Sequence, residues 1–188
     1  MTAGRGIIHQ EMPKGTADGK MLGFQLWANL PASNKMMRPR YQDIKATDVP
    51  EVTVDIGVKI RVLCGEINGV KGPVQDIIID PEYLDITVPA NTEYFHPTKK
   101  GYTVFIYVIG GNGMTGGQEG QTIRNETLVL FKDGDQVNLK AGDEPQRLLL
   151  ISGKPLNEPI AWGGPIVMNT QEELDTAFEE YRNGTFIK

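Results

Sequence analysis

Apolar and polar residues alternate most regularly in the middle of the chain. From Val52 to Val62 every second residue is apolar, which is typical of a half-buried strand or of two strands interrupted near Gly57. Six further segments have strand character, at 75–79, 83–88, 103–109, 127–131, 136–139 and 147–152. Turn residues such as Asn68-Gly69 and Asp133-Gly134 separate them. Short strands spaced in this way predict an all-β sandwich or barrel.

The first forty residues are less regular. Clusters of apolar residues predict short strands at 6–11 and 22–30, and Pro13-Lys14-Gly15 and Asp18-Gly19 are the turn signals between them. A polar connector follows from Tyr41 to Pro50, so we expect a domain boundary after residue 42.

One helix is predicted, at the end of the chain. Thr170 is a favourable N-cap, and Glu173 three residues later completes a capping box. The apolar residues of one helical face are Leu174, Ala177, Phe178 and Tyr181. Gly184 is expected to end the helix. We interpret it as a helix that packs on a β-body.

Composition narrows the class of protein. A chain of 188 residues and 20.8 kDa with 39% hydrophobic residues can form one good core or two small ones. Nineteen Lys and Arg against 24 Asp and Glu give a net charge of -5, which argues against a broad basic surface for nucleic acid or anionic lipid. The N-terminus has no signal-peptide pattern, and a single cysteine fits a reducing compartment.

Only two histidines, His9 and His96, are available for a metal site or for histidine-based catalysis. His9 and Glu11 stand two apart on a predicted strand, so both side chains would leave the same face. An imidazole nitrogen and a carboxylate oxygen suit iron, manganese, copper, nickel or zinc. Taken alone, this spacing is more often found in structural or solvated pairs.

Two glycine-rich segments raise the question of anion binding. Arg5 lies between Gly4 and Gly6 and could present backbone N–H groups as an anion nest, or the segment could be a simple turn. The run from Gly110 to Gly120 lacks the closing Lys-Ser/Thr of a P-loop, so we interpret it as a hairpin connection.

The remaining candidates have plain structural interpretations. Cys64 follows an apolar strand with no cation beside it, so we expect a buried thiol of low reactivity. Met36 and Met37, with Arg38 and Arg40, could form an interaction surface, but loop packing is the favoured interpretation. No Gly-x-Ser-x-Gly nucleophile motif occurs.

Several stretches along the chain resemble the pirin family. They lie at 1–13 (MTAGRGIIHQEMP), 23–30 (GFQLWANL), 35–42 (KMMRPRYQ), 105–107 (FIY), 151–159 (ISGKPLNEP) and 164–170 (GPIVMNT). The resemblance implies a protein of two tandem cupin β-barrels, the first of which holds one iron through three histidines and one glutamate. It implies that residues 1–42 are the end of the first barrel, 43–168 the second barrel and 169–188 a capping helix.

The resemblance also assigns the metal candidates. His9 and Glu11 match one histidine ligand and the glutamate ligand of the family's iron site. The other two histidines belong to an upstream His-x-His motif, so the chain is expected to be N-terminally truncated and its metal site incomplete. His96 lies in a segment that resembles the second, metal-free barrel. A twofold dimer that brings together His9 and Glu11 of both chains would supply four donors, whereas a single chain is expected to be poor in metal.

These expectations leave several functions open. The favoured one is a non-catalytic transcription cofactor that acts through protein contacts, such as contacts with transcription factors, without binding nucleic acid or membrane directly. The alternatives are a metal-dependent quercetin (flavonol) dioxygenase, with Glu11 as metal ligand and candidate base, and an inactive truncated fragment. The resemblance implies the nucleus or cytoplasm as location. A homodimer through residues 1–42 is a further option for these residues.

Overall fold

The structure, a computed structural model, describes residues 1–12, 15–116 and 120–187. It forms two compact units. One unit consists of residues 43–155, and the other joins residues 1–42 with residues 156–188. Short 3-10 helices are Ala32–Asn34, Ala46–Asp48 and Asp55–Gly57.

The unit of residues 43–155 is built from antiparallel sheets. Its strands are β1 (Glu51–Thr53), β2 (Lys59–Cys64), β3 (Glu66–Ile67), β4 (Val70–Lys71), β5 (Glu82–Val88), β6 (Glu93–Pro97), β7 (Thr103–Gly110), β8 (Gly113–Thr115), β9 (Gln121–Ile123), β10 (Leu128–Leu130), β11 (Gln136–Ala141) and β12 (Gln146–Gly153). A six-stranded sheet has the order β1-β2-β5-β12-β7-β10, and a four-stranded sheet has the order β6-β11-β8-β9. Strands β3 and β4 form a separate two-stranded ribbon. The non-sequential strand orders are those of a jelly-roll type of β-barrel.

The core of this unit lies between the two sheets. It consists of alternate residues of β2, β5, β7 and β12 on one side and of β11 on the other. Ile60, Leu84, Ile106, Leu139 and Leu150 are all 0% exposed. This period of two is what the sequence predicted, and the all-β fold is confirmed.

The alternating run from Val52 to Val62 forms two strands, which confirms the interpretation of two strands interrupted near Gly57. Strand β1 ends at Thr53, the 3-10 turn Asp55–Gly57 follows, and β2 begins at Lys59. Gly57 has φ +78°, a conformation that glycine adopts readily. The two strands pair antiparallel, with Val52 opposite Ile60.

The other unit contains a hairpin and the only α-helix of the described residues. Strands β13 (Ala161–Gly163) and β14 (Ile166–Met168) pair, and helix α1 (Gln171–Arg182) packs against them. The predicted capping box is confirmed: the Glu173 N–H donates to Thr170 Oγ1 (3.2 Å), and the Thr170 N–H donates to Glu173 Oε2 (3.1 Å). Gly184, with φ +71°, follows the end of the helix.

The predicted strands at 6–11 and 22–30 are wrong. Among the described residues of 1–42 the only β-pairing is an isolated bridge between Thr2 and Arg40. Residues 6–12 and 20–31 form neither helix nor strand. The predicted strand at 75–79 is also wrong, because Asp76 and Asp80 have positive φ values of 59° and 47°. In the residues that the structure describes, no helix is long and apolar enough to cross a membrane.

Candidate functional site

The predicted metal ligands His9 and Glu11 lie in the irregular N-terminal segment. Both side chains are exposed, and Glu11 Oε1 accepts a hydrogen bond from Gln25 Nε2 at 3.3 Å. Because residues 6–12 form no strand, a spacing of two does not by itself place both side chains on one face. Their role as metal ligands stays a prediction.

The donor set of the described residues does not fit the iron that the resemblance implies. No group of three or more His, Cys, Asp or Glu side chains in the described ranges is arranged to hold a metal ion. Protein metal centres usually have at least three protein ligands, with carboxylate and imidazole groups held in place by further hydrogen bonds. His9 and Glu11 alone therefore supply an incomplete site.

We expect the purified chain to contain far less than one metal ion per chain by elemental analysis, because two exposed donors must be ordered at the moment of binding. His9→Ala should leave the metal content unchanged, as should the control Gln10→Ala at the neighbouring exposed position. A full equivalent of metal that is lost in His9→Ala and kept in Gln10→Ala would contradict this expectation.

The anion nest at Arg5 is not available in this structure. The Arg5 N–H donates to the Met37 carbonyl (2.9 Å), and the Gly6 N–H donates to the Ala3 carbonyl (3.0 Å). Gly6 has φ +133°, and a Cβ atom there would lie 2.8 Å from the ring of Phe186. The segment is therefore a packed turn, the second of the two interpretations. The Met37 carbonyl helps to hold this turn in place by accepting the Arg5 N–H.

The hairpin interpretation of the second glycine-rich run is confirmed. Strands β8 and β9 pair antiparallel, with Met114 opposite Thr122. Part of the run, residues 117–119, lies outside the described residues.

A buried polar network inside the barrel unit was missed by the sequence reasoning. It joins Glu82 of β5 to Tyr94 and His96 of β6. The His96 side chain is 1% exposed, with Nε2 at 2.9 Å from Glu82 Oε2 and Nδ1 at 3.2 Å from the Tyr94 hydroxyl. The tautomer that satisfies both contacts has Nε2–H donating to the carboxylate and Nδ1 accepting from the phenol. All polar atoms of the ring are thus used within the barrel.

Burial keeps the Tyr94 phenol in its protonated form. Burial, with a smaller contribution from the Glu82 carboxylate, raises the pKa of Tyr94 to about 12. A phenol that resists ionisation and donates to an imidazole is a structural hydrogen-bond donor at neutral pH. The network therefore orients His96 and joins β5 to β6.

We expect the free energy of unfolding to fall less at alkaline pH in Tyr94→Phe than in the wild type. Because the pKa is raised in the folded state, the contribution of Tyr94 is fully present below its unfolded pKa near 10 and is lost as the pH rises through about 12. Urea unfolding at a series of pH values across this window measures the loss. The control Tyr41→Phe changes a 60% exposed side chain and should follow the wild type. Equal alkaline losses in wild type and Tyr94→Phe would contradict the assignment.

Cys64 is buried, at 7% exposure, as the sequence predicted. Burial is the largest cause that raises the pKa of its thiol, and the nearby Asp80 and Glu82 carboxylates raise it further. The thiol donates to the Pro81 carbonyl at 3.3 Å. A nucleophilic cysteine needs the opposite environment, so Cys64 has no reactive role here.

Lys35 is a buried cation of the other unit, at 6% exposure. Its Nζ donates to Asn29 Oδ1 (2.7 Å) and to the Val167 carbonyl (3.0 Å), which ties the N-terminal segment to β14. Burial lowers the pKa of Lys35, while the Glu158 and Glu173 carboxylates act in the opposite direction. These two hydrogen bonds hold the chain around Lys35 against strand β14.

The same segment exposes an unusual number of large apolar side chains. We define the N-terminal apolar surface as Ile8 (69% exposed), Met12 (79%), Met21 (63%), Leu22 (81%), Leu26 (41%) and Trp27 (56%). By contrast, the buried apolar residues of this unit among those described are Leu174 and Ala177, both on helix α1. Exposed large apolar side chains along one segment make that segment a candidate for contact with a partner.

Comparison with known proteins agrees with the fold. The Pirin C-terminal cupin domain family matches residues 83–187. Pirin of Mus musculus is 40% identical over 97% of the chain, and Pirin-1 of Arabidopsis thaliana is 37% identical over 97%. The crystal structure of quercetin 2,3-dioxygenase from Acinetobacter baumannii superimposes with a TM-score of 0.76 at 30% identity over 85% of the chain.

The two-sheet barrel and these matches define a cupin-fold protein. More particularly, the chain belongs to the pirin family. It spans 62% of the length of the mouse relative, 63% of the Arabidopsis relative and 55% of the solved A. baumannii chain.

Proposed function

We propose that this chain is a non-catalytic protein-interaction module of the pirin family. In this proposal it acts as a transcription cofactor, in the nucleus or cytoplasm, and contacts transcription factors through the N-terminal apolar surface. The observation that carries the proposal is the exposure of the six large apolar side chains between Ile8 and Trp27. Surfaces of this kind are usually covered by a partner in the functional state.

The size of this surface supports a specific interface. A large apolar residue has on the order of 200 Å² of accessible area when fully exposed. At exposures of 41–81%, the six residues present on the order of 800 Å² together, the area that one partner contributes to a standard interface.

The charge distribution favours proteins over nucleic acid as partners. The chain has a net charge of -5, and a phosphate backbone would be repelled by such a balance. Trp27, which is 56% exposed, belongs to the residue type most enriched at the energetic centre of protein interfaces. A protein face with apolar pockets therefore fits the surface better than a duplex does.

The test measures binding of the full chain to purified transcription factors, each with and without its DNA, by biolayer interferometry. We expect a factor that binds the wild type to bind Leu22→Glu at least about tenfold more weakly, because a charge is placed in an apolar contact. The matched control is Leu130→Glu, on strand β10, where the leucine is 66% exposed. Equal binding of wild type and Leu22→Glu would overturn the proposal.

A second candidate function is a metal-dependent quercetin (flavonol) dioxygenase. The likeness to the solved quercetin 2,3-dioxygenase from A. baumannii supports this possibility. For this chain the function requires His9 and Glu11 as ligands together with donors from outside the described residues, because those residues do not complete a metal site. We therefore rank it below the interaction function.

A further inference from the structure

We propose that Gln146 holds at least one internal water molecule inside the barrel unit, at the end of the barrel where β12 begins. The Gln146 side chain is 0% exposed. Neither its Nε2 group nor its Oε1 atom has a hydrogen-bond partner among the described residues. The site lies within residues 43–155, so it is independent of the N-terminal apolar surface and of the function proposed for that surface.

A buried primary amide needs both a donor and an acceptor beside it. Its NH₂ group has two protons to donate and its carbonyl oxygen has two lone pairs, and burying these groups unpaired is unfavourable because their hydrogen bonds to bulk water are lost. Within the described part of the barrel unit, Gln146 is the only side chain with a fully buried N or O atom that lacks a partner, and both of its polar atoms do. Water both donates and accepts, so it can serve the two ends of the amide.

Strand geometry directs the Gln146 side chain into the core. Gln146 stands two and four residues before Leu148 and Leu150, which are 0% exposed and belong to the core cluster. Side chains two apart on a strand leave the same face, so the amide lies between the two sheets. Its partner on β5, Val88, is also 0% exposed. The amide therefore cannot reach bulk solvent.

The amide lies against Gly113 of β8, in the opposite sheet. A Cβ atom at Gly113 would be 2.7 Å from Gln146 Oε1 and 2.9 Å from Gln146 Nε2, and it would be 2.3 Å from the Lys140 carbonyl oxygen of β11. A backbone carbonyl accepts up to two hydrogen bonds, so the Lys140 oxygen can accept one from water besides one from the main chain. The two amide atoms and this carbonyl give water the roughly three hydrogen bonds that a buried water usually makes.

The backbone encloses the same end of the barrel and determines the class of ligand. A Cβ atom at Gly111 would lie 2.3 Å from the Pro145 carbonyl oxygen, and one at Gly142 would lie 2.4 Å from Asn112 Oδ1. Main chain thus packs on main chain here, without large side chains between the segments. A small polar molecule with several hydrogen bonds fits such surroundings, whereas an organic ligand would have to separate the strands.

The direct test is nuclear magnetic resonance of the ¹⁵N-labelled full chain, with transfer from water to side-chain NH₂ groups measured in the rotating frame. We expect a cross-peak of dipolar sign, which distinguishes a nearby bound water from proton exchange, at the NH₂ group of Gln146. The exposed Gln136 on β11 is the control and should show none. Loss of the resonances in Gln146→Met assigns them.

Thr115→Val excludes another source of the same signal. Thr115 carries a hydroxyl group that is buried on the same face of β8 as Gly113. A cross-peak that persists in Thr115→Val comes from water. The absence of a cross-peak at Gln146 in the wild type, or its loss in Thr115→Val, would overturn the proposal.

Thermal unfolding gives a second test. Gln146→Met keeps a side chain of similar volume but removes both polar atoms, so the water and the Lys140 carbonyl lose partners. We expect the midpoint temperature to fall by about 3 °C or more. The matched control Gln136→Met, at an exposed position, should shift it by less than about 2 °C. A midpoint that is unchanged or higher in Gln146→Met would show that the amide is buried without a partner, which would overturn the proposal.

Discussion

Leu150→Ala is expected to lower the free energy of unfolding by about 2–5 kcal/mol, the range for truncation of a fully buried leucine. Leu150 is 0% exposed on β12, the strand that pairs with both β5 and β7. Its neighbours across the two ladders, Leu84 and Ile106, are also 0% exposed. The cavity left by the missing carbon atoms therefore lies at the centre of the core, where the surrounding strands cannot collapse into it without disturbing both ladders.

Urea unfolding of wild type and variant, followed by circular dichroism, measures this effect. The matched control is Leu130→Ala, because Leu130 is 66% exposed at the edge strand β10 and its truncation should change the free energy of unfolding by less than about 0.5 kcal/mol. Similar losses in the two variants would mean that the packing of Leu150 is not what stabilises the barrel.

His96→Leu is expected to cost about 1–3 kcal/mol, through hydrogen bonds rather than through volume. Leucine fills the buried position with an apolar side chain of comparable size. The Glu82 carboxylate and the Tyr94 hydroxyl then both lose their partner on the imidazole ring. The Glu82 side chain is only 20% exposed, so water replaces the lost donor incompletely. A partly buried carboxylate without a partner is the main source of the expected loss.

A double-mutant cycle distinguishes this explanation from a general intolerance of the site. Glu82→Leu alone leaves the His96 Nε2–H without an acceptor, whereas the double variant Glu82→Leu with His96→Leu leaves neither group unpaired. We expect the double variant to lose less stability than the sum of the single variants, by about 1 kcal/mol or more. Additive losses would show that the hydrogen bond between the two side chains contributes nothing.

Strands β2, β7 and β11 could be predicted because buried residues alternate with less buried ones along each of them. In β7 the buried residues Val104, Ile106 and Val108 alternate with less buried ones, and this period of two is visible in the sequence. The C-terminal helix could be predicted for an equally local reason, since its capping box needs only Thr170 and Glu173. Both signals are local. The helix signal comes from two residues three apart, and the strand signal comes from the alternation of residues within one segment.

The N-terminal strands could not be predicted correctly from the same kind of pattern. Apolar residues such as Ile8 and Leu22 suggest strands, but a strand also needs a hydrogen-bonding partner, and the pattern of one segment says nothing about that partner. In the structure these side chains are 69% and 81% exposed. Strand pairing depends on tertiary structure, which the pattern of one segment does not contain. In this structure Ile8 and Leu22 lie on the surface and not in a core.

Only part of the barrel's polar network could have been found from the sequence. Tyr94 and His96 stand two apart with the exposed Phe95 between them, so alternation places both on one face of a strand. Glu82 is fourteen residues away from His96, and their contact depends on how β5 and β6 face each other across the two sheets. Such a pairing does not follow from local patterns.

The central proposal is that this chain works by binding a protein partner through its N-terminal apolar surface, and metal-dependent catalysis by its own residues is the alternative. The most direct test measures quercetin consumption by the purified chain with added iron(II), manganese(II), copper(II) or nickel(II), against the same metal without protein. We predict no consumption above the metal control, in wild type and in Glu11→Ala alike. Metal-dependent turnover of quercetin by the wild type that disappears in Glu11→Ala would contradict the claim.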